Sequence, residues 1–337
     1  MNDITFVCCI EFGPLEDQTL LMLNSLRRHG GELGRAPVIV VKPRLGVPLR
    51  SGTLLQLSAL GARLVDDPKC SPVPWFNYAN KIAAVLIAQQ QAQTALVAWL
   101  DSDVLVAGPP TDLRLAEDED FAARAEFLPP AVREDDPTHV PYWRRLCSLF
   151  GVQFDLVPWL FVDHRDERIR MYFNSGVFVW RRSSGFAERY ADFFVRLLKS
   201  RLAQHDGCFF TADQVVLTPV VIAGNLRWRH LGYRCHHMTF QAQIDGPIAS
   251  PSMHESALIH YSKSLDAPHR ERFLARLRVE RPELHGWLVE QPALHRRALP
   301  SAPWFSGALA HALKLARGLR WRLYASKVQR ALRGVAP

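Results

Sequence analysis

No apolar run in this sequence approaches the ~20 residues a helix needs to cross a bilayer. No Cys-x-x-Cys pair is present, and the six cysteines (Cys8, Cys9, Cys70, Cys147, Cys208, Cys235) are scattered, two of them adjacent in one apolar stretch. That spacing matches neither a zinc site nor a disulfide framework. Residues 4–10 are apolar, with no basic leader before them and no small-residue cleavage site after them. A signal peptide is therefore not expected, and a cytoplasmic location is. His-Glu-x-x-His, Gly-x-Ser-x-Gly, phosphate-loop and Gly-x-Gly-x-x-Gly patterns are missing as well. Their absence argues against a zinc protease, a serine hydrolase, a phosphate-loop ATPase and a dinucleotide dehydrogenase.

Acidic residues are absent after Glu290, and nine of the 41 Lys and Arg lie beyond it. Residues 1–290 thus carry 32 basic against 33 acidic side chains, about −1, and the +8 net charge belongs to the tail. A nucleic-acid-binding domain carries its basic residues on the folded face, so no nucleic-acid partner is expected.

What the sequence does hold is an alternation of strands and helices. Residues 4–10 read as a strand covered on both faces. Residues 17–29 carry Leu20, Leu23 and Leu26 at helical spacing before Gly30-Gly31. Strands follow at 38–41, 63–65 and 95–100, separated by helices near 54–60 and 81–91. This rhythm predicts a mostly parallel sheet with helices on both faces, with ligands beyond the carboxyl ends of the strands. Residues 107–170 read as an irregular, charged insertion on the acceptor side. Beyond it come an apolar strand (171–180), a helix (187–201), the stretch 213–221, a short strand (257–261) and a polar helix (270–290). The expected organisation is one domain over 1–290, a linker over 291–303 and a basic helical tail over 304–337.

Four short motifs carry chemistry. Asp101-Ser102-Asp103 places two carboxylates just past an apolar strand, where they can ligate a hard cation such as Mn²⁺ or Mg²⁺; an ordinary Asp-Ser-Asp turn fits equally. Asn174-Ser175-Gly176 interrupts an apolar strand. It suits a ligand contact, with Gly176 allowing close approach, or else a β-bulge. Asp213-Gln214 opens an apolar stretch and is either a site pair or an acidic helix start. His260 is a metal ligand or a buried histidine, and Lys263 a phosphate contact or a surface lysine. Lys81, at the start of a helix, is a candidate diphosphate contact against an ordinary solvated lysine. His236 and His237, being adjacent, are expected to point to opposite faces and not to share a metal.

Leu100-Asp101-Ser102-Asp103, then Phe173-Asn174-Ser175-Gly176-Val177-Phe178, then Asp213-Gln214, then His260-Tyr261 together resemble the nucleotide-sugar glycosyltransferases of the GT-A fold. The resemblance is to the retaining family that includes glycogenin and bacterial lipopolysaccharide galactosyltransferases, and it spans about residues 1–265. It implies that Asp101, Asp103 and His260 hold the metal. Asn174 would contact the donor sugar, and Asp213 and Gln214 would lie beneath the anomeric carbon. The loop Glu11, Phe12, Gly13 would lie near the nucleotide base, with Ser102, Lys81 and Lys263 counted among the donor contacts. The sequence departs from the family after the histidine, where no Lys-Pro-Trp follows, and at Val215, often acidic in the family.

The implied reaction moves a hexosyl unit from a nucleoside-diphosphate sugar, expected to be a UDP-sugar, to a hydroxyl of a glycan or lipid-linked acceptor in envelope glycan or glycolipid synthesis. Rival readings are an inverting transferase, a nucleotidyltransferase and a non-catalytic nucleotide-sugar-binding protein. In the tail, Leu309, Leu313, Leu319 and Leu323 share an arc amid unopposed basic residues. This segment is expected either to dock on an anionic membrane or to pack on the domain.

Overall fold

The computed structural model describes residues 3–162, 167–202, 211–239, 251–295 and 305–333. Cys208, Trp304 and most of the expected 291–303 linker lie outside them.

Strand β1 (Ile4–Cys9) leads into helix α1 (Pro14–His29), which starts at Pro14 and is capped by the Gly13 N–H donating to the Glu16 carboxylate. Proline suits a first helical position because the missing N–H would have no partner there. Strands β2 (Val38–Lys42), β3 (Ala62–Asp66) and β4 (Leu96–Leu100) alternate with helices α2 (Ser51–Ala59) and α3 (Ala79–Gln91). They pair in parallel in the order β4-β1-β2-β3, and both faces of β1 are buried. Val7, Val97 and Trp99 enter the core on one side of the sheet, and Phe6, Cys8, Ala98 and Leu100 the core on the other. This two-sided burial explains why β1 reads as a continuous apolar run.

Strand β5 (Val104–Val106) follows the turn after β4, and β6 (Phe121–Ala125) then joins the main sheet. The expectation of an irregular 107–170 therefore fails in part: Phe121-Ala-Ala-Arg-Ala is a buried sheet strand, concealed by the acidic run just before it. Helix α4 (Val140–Leu149) and the hairpin β7 (Trp159–Val162) with β8 (Glu167–Arg170) complete this region. Strand β9 (Phe173–Arg181) runs antiparallel between β4 and β6, with Leu100 opposite Val177. The start of β9 therefore lies beside the end of β4, which brings Asn174-Ser175-Gly176 to Asp101.

Helix α5 (Phe186–Ser200) is followed by α6 (Ala212–Val215) and α7 (Leu217–Ala223), so the expected single stretch 213–221 is two short helices. Strand β10 (Trp228–His230) closes the main sheet beside β6. A small second sheet joins β11 (His237–Met238), β12 (Leu258–His260) and β5. The expected helix 270–290 is two helices, α8 (Arg270–Glu280) and α9 (Pro282–Val289), because Pro282 starts a new helix rather than continuing the old one. A single turn, α10 (Pro292–His295), falls within the expected linker.

The tail is helical over α11 (Phe305–Arg333). Trp321 and Tyr324 pack against Trp75, the Tyr324 hydroxyl donates to the Leu198 carbonyl, and Arg317 donates to the Leu45 carbonyl. Ala310, Leu313 and Arg317 face Glu11, Phe12, Lys42, Gly46 and Val47 across a cavity of about 100 Å³. The shared leucine arc read from the sequence is thus split: Leu313 faces the domain, whereas Leu319 and Leu323 are exposed. No helix among the described residues is long and apolar enough to cross a membrane.

Candidate active site

Three chain segments meet at the carboxyl end of β4. The Asp101 N–H donates to the Gly176 carbonyl, tying the turn to β9. Strand β12 pairs antiparallel with β5, with His260 opposite Val104, and the Tyr261 N–H donates to the Asp103 carbonyl. His260 Nε2 then lies 3.2 Å from Asp103 Oδ1 and 4.0 Å from Asp101 Oδ2. The ligand atoms of Asp101, Asp103 and His260 all fall within 4.8 Å of one another, a donor set suited to a divalent cation. The two carboxylates are each about a quarter exposed, which leaves the cluster open on one side.

Lys81 sits in the first turn of α3 and reaches Asp101 Oδ1 at 3.2 Å and Asp213 Oδ2 at 2.8 Å. It also donates to the carbonyl and hydroxyl of Ser175. The solvated-lysine alternative is overturned: the ammonium is buried between two carboxylates. Ser175 Oγ donates to Asp213, the Ser175 N–H donates to Gln214 Oε1, and Gln214 Nε2 donates to the Tyr172 hydroxyl. Asp213 does stand in the first turn of a helix, α6, and its Oδ2 is engaged by Lys81 and Ser175.

Asn174 is buried and doubly engaged, donating to Glu126 and accepting from the Gly176 N–H. Gly176 has a different use from the close substrate approach expected. A Cβ there would stand 2.5 Å from His260 Cε1 and Nδ1, so the absent side chain makes room for the imidazole. Ser102 is buried and donates to the Cys9 carbonyl, fastening the turn to the end of β1. Glu11 is held by a bidentate pair with buried Arg44. Phe12 and Gly13 are half-buried beside it, and Lys263 is exposed, away from these bonds.

Several partners escaped sequence reading. Trp99 Nε1 donates to Asp101 Oδ1; the signal was available, since residues two apart on a strand share a face. Glu126 and His236 gave no comparable signal. His236 Nε2 lies 3.1 Å from His260 Nδ1, so one of the adjacent pair does reach the Asp101–Asp103–His260 cluster, as a partner of His260.

Electrostatics follow from this crowding. Burial and the charge of Asp103 hold the Asp101 carboxyl above the usual carboxylate range, against the pull of Lys81 and His260. Burial also opposes ionisation of Asp103, but adjacent His260 outweighs it and holds Asp103 low. For His260, burial disfavours the imidazolium, and Asp103 with Asp101 more than compensates, raising its pKa. Lys81 is raised in the same way: burial opposes its charge, and Asp101 and Asp213 outweigh it. Three carboxylates (Asp101, Asp103, Asp213) thus stand around one ammonium and one imidazole, an arrangement that could hold a divalent cation.

A family model described as the Rhodobacterales glycosyltransferase domain matches residues 6–225. The chain belongs to this glycosyltransferase family. The match includes Lys81, Asp101, Asp103, Asn174, Asp213 and Gln214 and ends before His236 and His260. Among solved structures, the glycosyltransferase resembles the WbbM bifunctional glycosyltransferase at 15% identity and a TM-score of 0.50, over 85% of this chain and 51% of that one. GlyE of Streptococcus pneumoniae TIGR4 gives 15% identity and a TM-score of 0.48; the match covers 85% of this chain and spans 63% of GlyE. The galactosyltransferase LgtC, solved with donor and acceptor sugar analogues, gives 16% identity and a TM-score of 0.48, over 91% of this chain and all of that one. At such identities the likeness to WbbM is one of fold, and the glycosyltransferase has the GT-A architecture. No curated protein matches its sequence.

Proposed function

We propose that this glycosyltransferase moves a hexosyl unit from a nucleoside-diphosphate sugar, of the UDP-sugar class, to a hydroxyl of a glycan or lipid-linked acceptor, with Mn²⁺ or Mg²⁺ held by Asp101, Asp103 and His260. One observation carries the reading: two carboxylates and an imidazole converge on an open corner with surplus negative charge. The donor set fits a hard cation that completes its shell with substrate oxygens. When bound, such an ion neutralises a diphosphate leaving group.

The chain's own residues supply the remaining parts. Lys81 keeps Asp213 and Asp101 oriented across the floor of the site and offers a positive charge beside the leaving group. Asp213 and Gln214, fixed through Ser175 and Tyr172, offer oxygen atoms for the developing positive charge at the anomeric carbon. Asn174, bound to Glu126 and the Gly176 N–H, acts on the donor sugar by holding this wall rather than through a free amide. Glu11, Phe12 and Gly13 border the nucleotide end, Ser102 anchors the metal turn, and Lys263 is the exposed cation nearest the ligand histidine in sequence.

The tail supports an acceptor at a membrane surface, at its cytoplasmic face. Leu315, Leu319 and Leu323 are each more than half exposed and stand four residues apart, with Lys314, Arg320, Arg322 and Lys327 around them. The side bearing Trp321, Tyr324 and Arg317 is occupied by the domain. An apolar stripe with unopposed basic neighbours fits an anionic lipid surface.

The deciding experiment screens a panel of nucleotide sugars for nucleoside-diphosphate release, with Mn²⁺ and with chelator. Mn²⁺-dependent release of UDP is the expected result. Pyrophosphate as product, full activity in chelator, or no turnover of any nucleotide sugar would overturn the reading.

A further inference from the structure

The imidazole of His260 is clamped on three sides. Nε2 faces Asp103 Oδ1, the Gly176 backbone lies against Cε1 and Nδ1, and the His236 ring meets the Nδ1 edge, its centroid 5.3 Å away and the two planes only 22° apart. His236 is fully buried, and its Nε2 stands 3.1 Å from His260 Nδ1. Among the described residues, His236 Nδ1 is buried with no hydrogen-bond partner, so no carboxylate sets its protonation and its one polar contact is His260.

Two nitrogens at that distance share one proton: one ring donates and the other accepts. A ring that gives its Nε2 lone pair to a cation must carry its proton on Nδ1, and metal-bound imidazoles are oriented by the acceptor that takes that N–H. The adjacent His237 has a separate partner, its Nδ1 lying 2.9 Å from Ser256 Oγ, so the pair is divided between two tasks.

Building on the metal assignment above, we propose that His236 is a positioning residue whose Nε2 accepts the His260 Nδ1–H, fixing the tautomer that presents His260 Nε2 to the cation. When His236 Nε2 instead donates, His260 carries its proton on Nε2, hydrogen-bonds to Asp103 and offers no lone pair. The two rings thus have one arrangement that takes a metal and one that does not, and His236 must hold its own proton on Nδ1 in the first.

The inference is tested by Mn²⁺ binding to the full-length protein, followed by electron paramagnetic resonance, in wild type, His236→Phe and His236→Gln. Phe keeps the ring volume and removes the acceptor; Gln places an amide oxygen near the position of Nε2. Loss of such an outer partner is expected to weaken Mn²⁺ binding about 10- to 100-fold, in Phe but far less in Gln. Equal affinity of His236→Phe and wild type, or equal loss in both variants, overturns it. Should wild type bind Mn²⁺ no better than Asp103→Ala, the metal assignment itself fails. A second measurement needs no variant: long-range ¹H–¹⁵N spectra of wild type loaded with Mg²⁺. Both rings should be protonated at Nδ1, and an Nε2–H on His236 would sink the proposal.

Discussion

The end of β4 and the C-terminal helix α11 both concentrate charge, in opposite ways. At the end of β4, carboxylates, an ammonium and an imidazole are packed together at 2.8–4.0 Å, and Lys81 and Asp213 are almost wholly buried. Along α11 the charges are all positive, those of Lys314, Arg320, Arg322 and Lys327 are exposed, and they are interleaved with exposed leucines. Buried pairs at short range are little screened by salt, and removing one member leaves an uncompensated charge. Exposed charges of one sign act only collectively and weaken within a Debye length of ~10 Å at 0.1 M salt. Under the proposed function the first region would hold one small ligand in one geometry, and the second would meet an extended surface.

Removing the cation should break the comparison most severely. Asp103→Ala, or chelator on wild type, is expected to lower kcat/KM by on the order of 10³-fold or more, the several kcal/mol a metal contributes to charge stabilisation. Added Mn²⁺ should restore the chelated wild type and not the variant. Circular dichroism of Asp103→Ala should remain that of wild type.

Next comes the buried ion pair. Lys81→Met strands Asp213, and breaking such a pair costs about 3–5 kcal/mol. A clear fall in melting temperature should result, together with loss of turnover. A melting curve identical to wild type would mean that Lys81 is not the tie between α3 and α6. Replacing Asp213 by Asn or Gln214 by Ala should instead lower kcat far more than donor affinity, since these groups act mainly in the transition state.

A smaller effect is expected at the wall of the metal corner. Gly176→Ala drives a methyl group into the His260 ring, a strain of about 1–3 kcal/mol. Mn²⁺ affinity should fall while Asp101 and Asp103 stay in place, which calorimetric titration can measure. Unchanged affinity would show that the ring has room to shift.

The smallest change in stability is expected on α11. Replacing Leu315, Leu319 and Leu323 by Ser alters exposed positions, each within about 0.5 kcal/mol of neutral. Co-sedimentation with vesicles containing anionic lipid should nevertheless drop, and added salt should weaken the binding of wild type by screening an attraction of about 1 kcal/mol per basic residue engaged. Equal, salt-insensitive partitioning of the two proteins would remove the membrane role and leave α11 as a helix packed on the domain.

Short-range patterns were the legible part of this chain. Strands β1 to β4 and the turn carrying Asp101 and Asp103 could be placed because hydrophobic period and turn chemistry are local. Strand β6 was missed because five residues beside an acidic run carry too little periodicity to outweigh their surroundings. Reading 270–290 as one helix failed at Pro282, a break that the sequence did announce.

By itself the sequence determined the order of strands and helices from β1 to β4, the two carboxylates past β4, and the segregation of positive charge into the tail. Each follows from neighbouring residues within a few positions. Tertiary structure alone decided that Lys81 is buried between Asp101 and Asp213, that Asn174 answers to Glu126, that Gly176 makes room for an imidazole, and that His236 stands behind His260. Those partners lie from 20 to more than 130 positions apart. Only the antiparallel insertion of β9 beside β4, and the return of β12 onto β5, bring them within hydrogen-bonding distance.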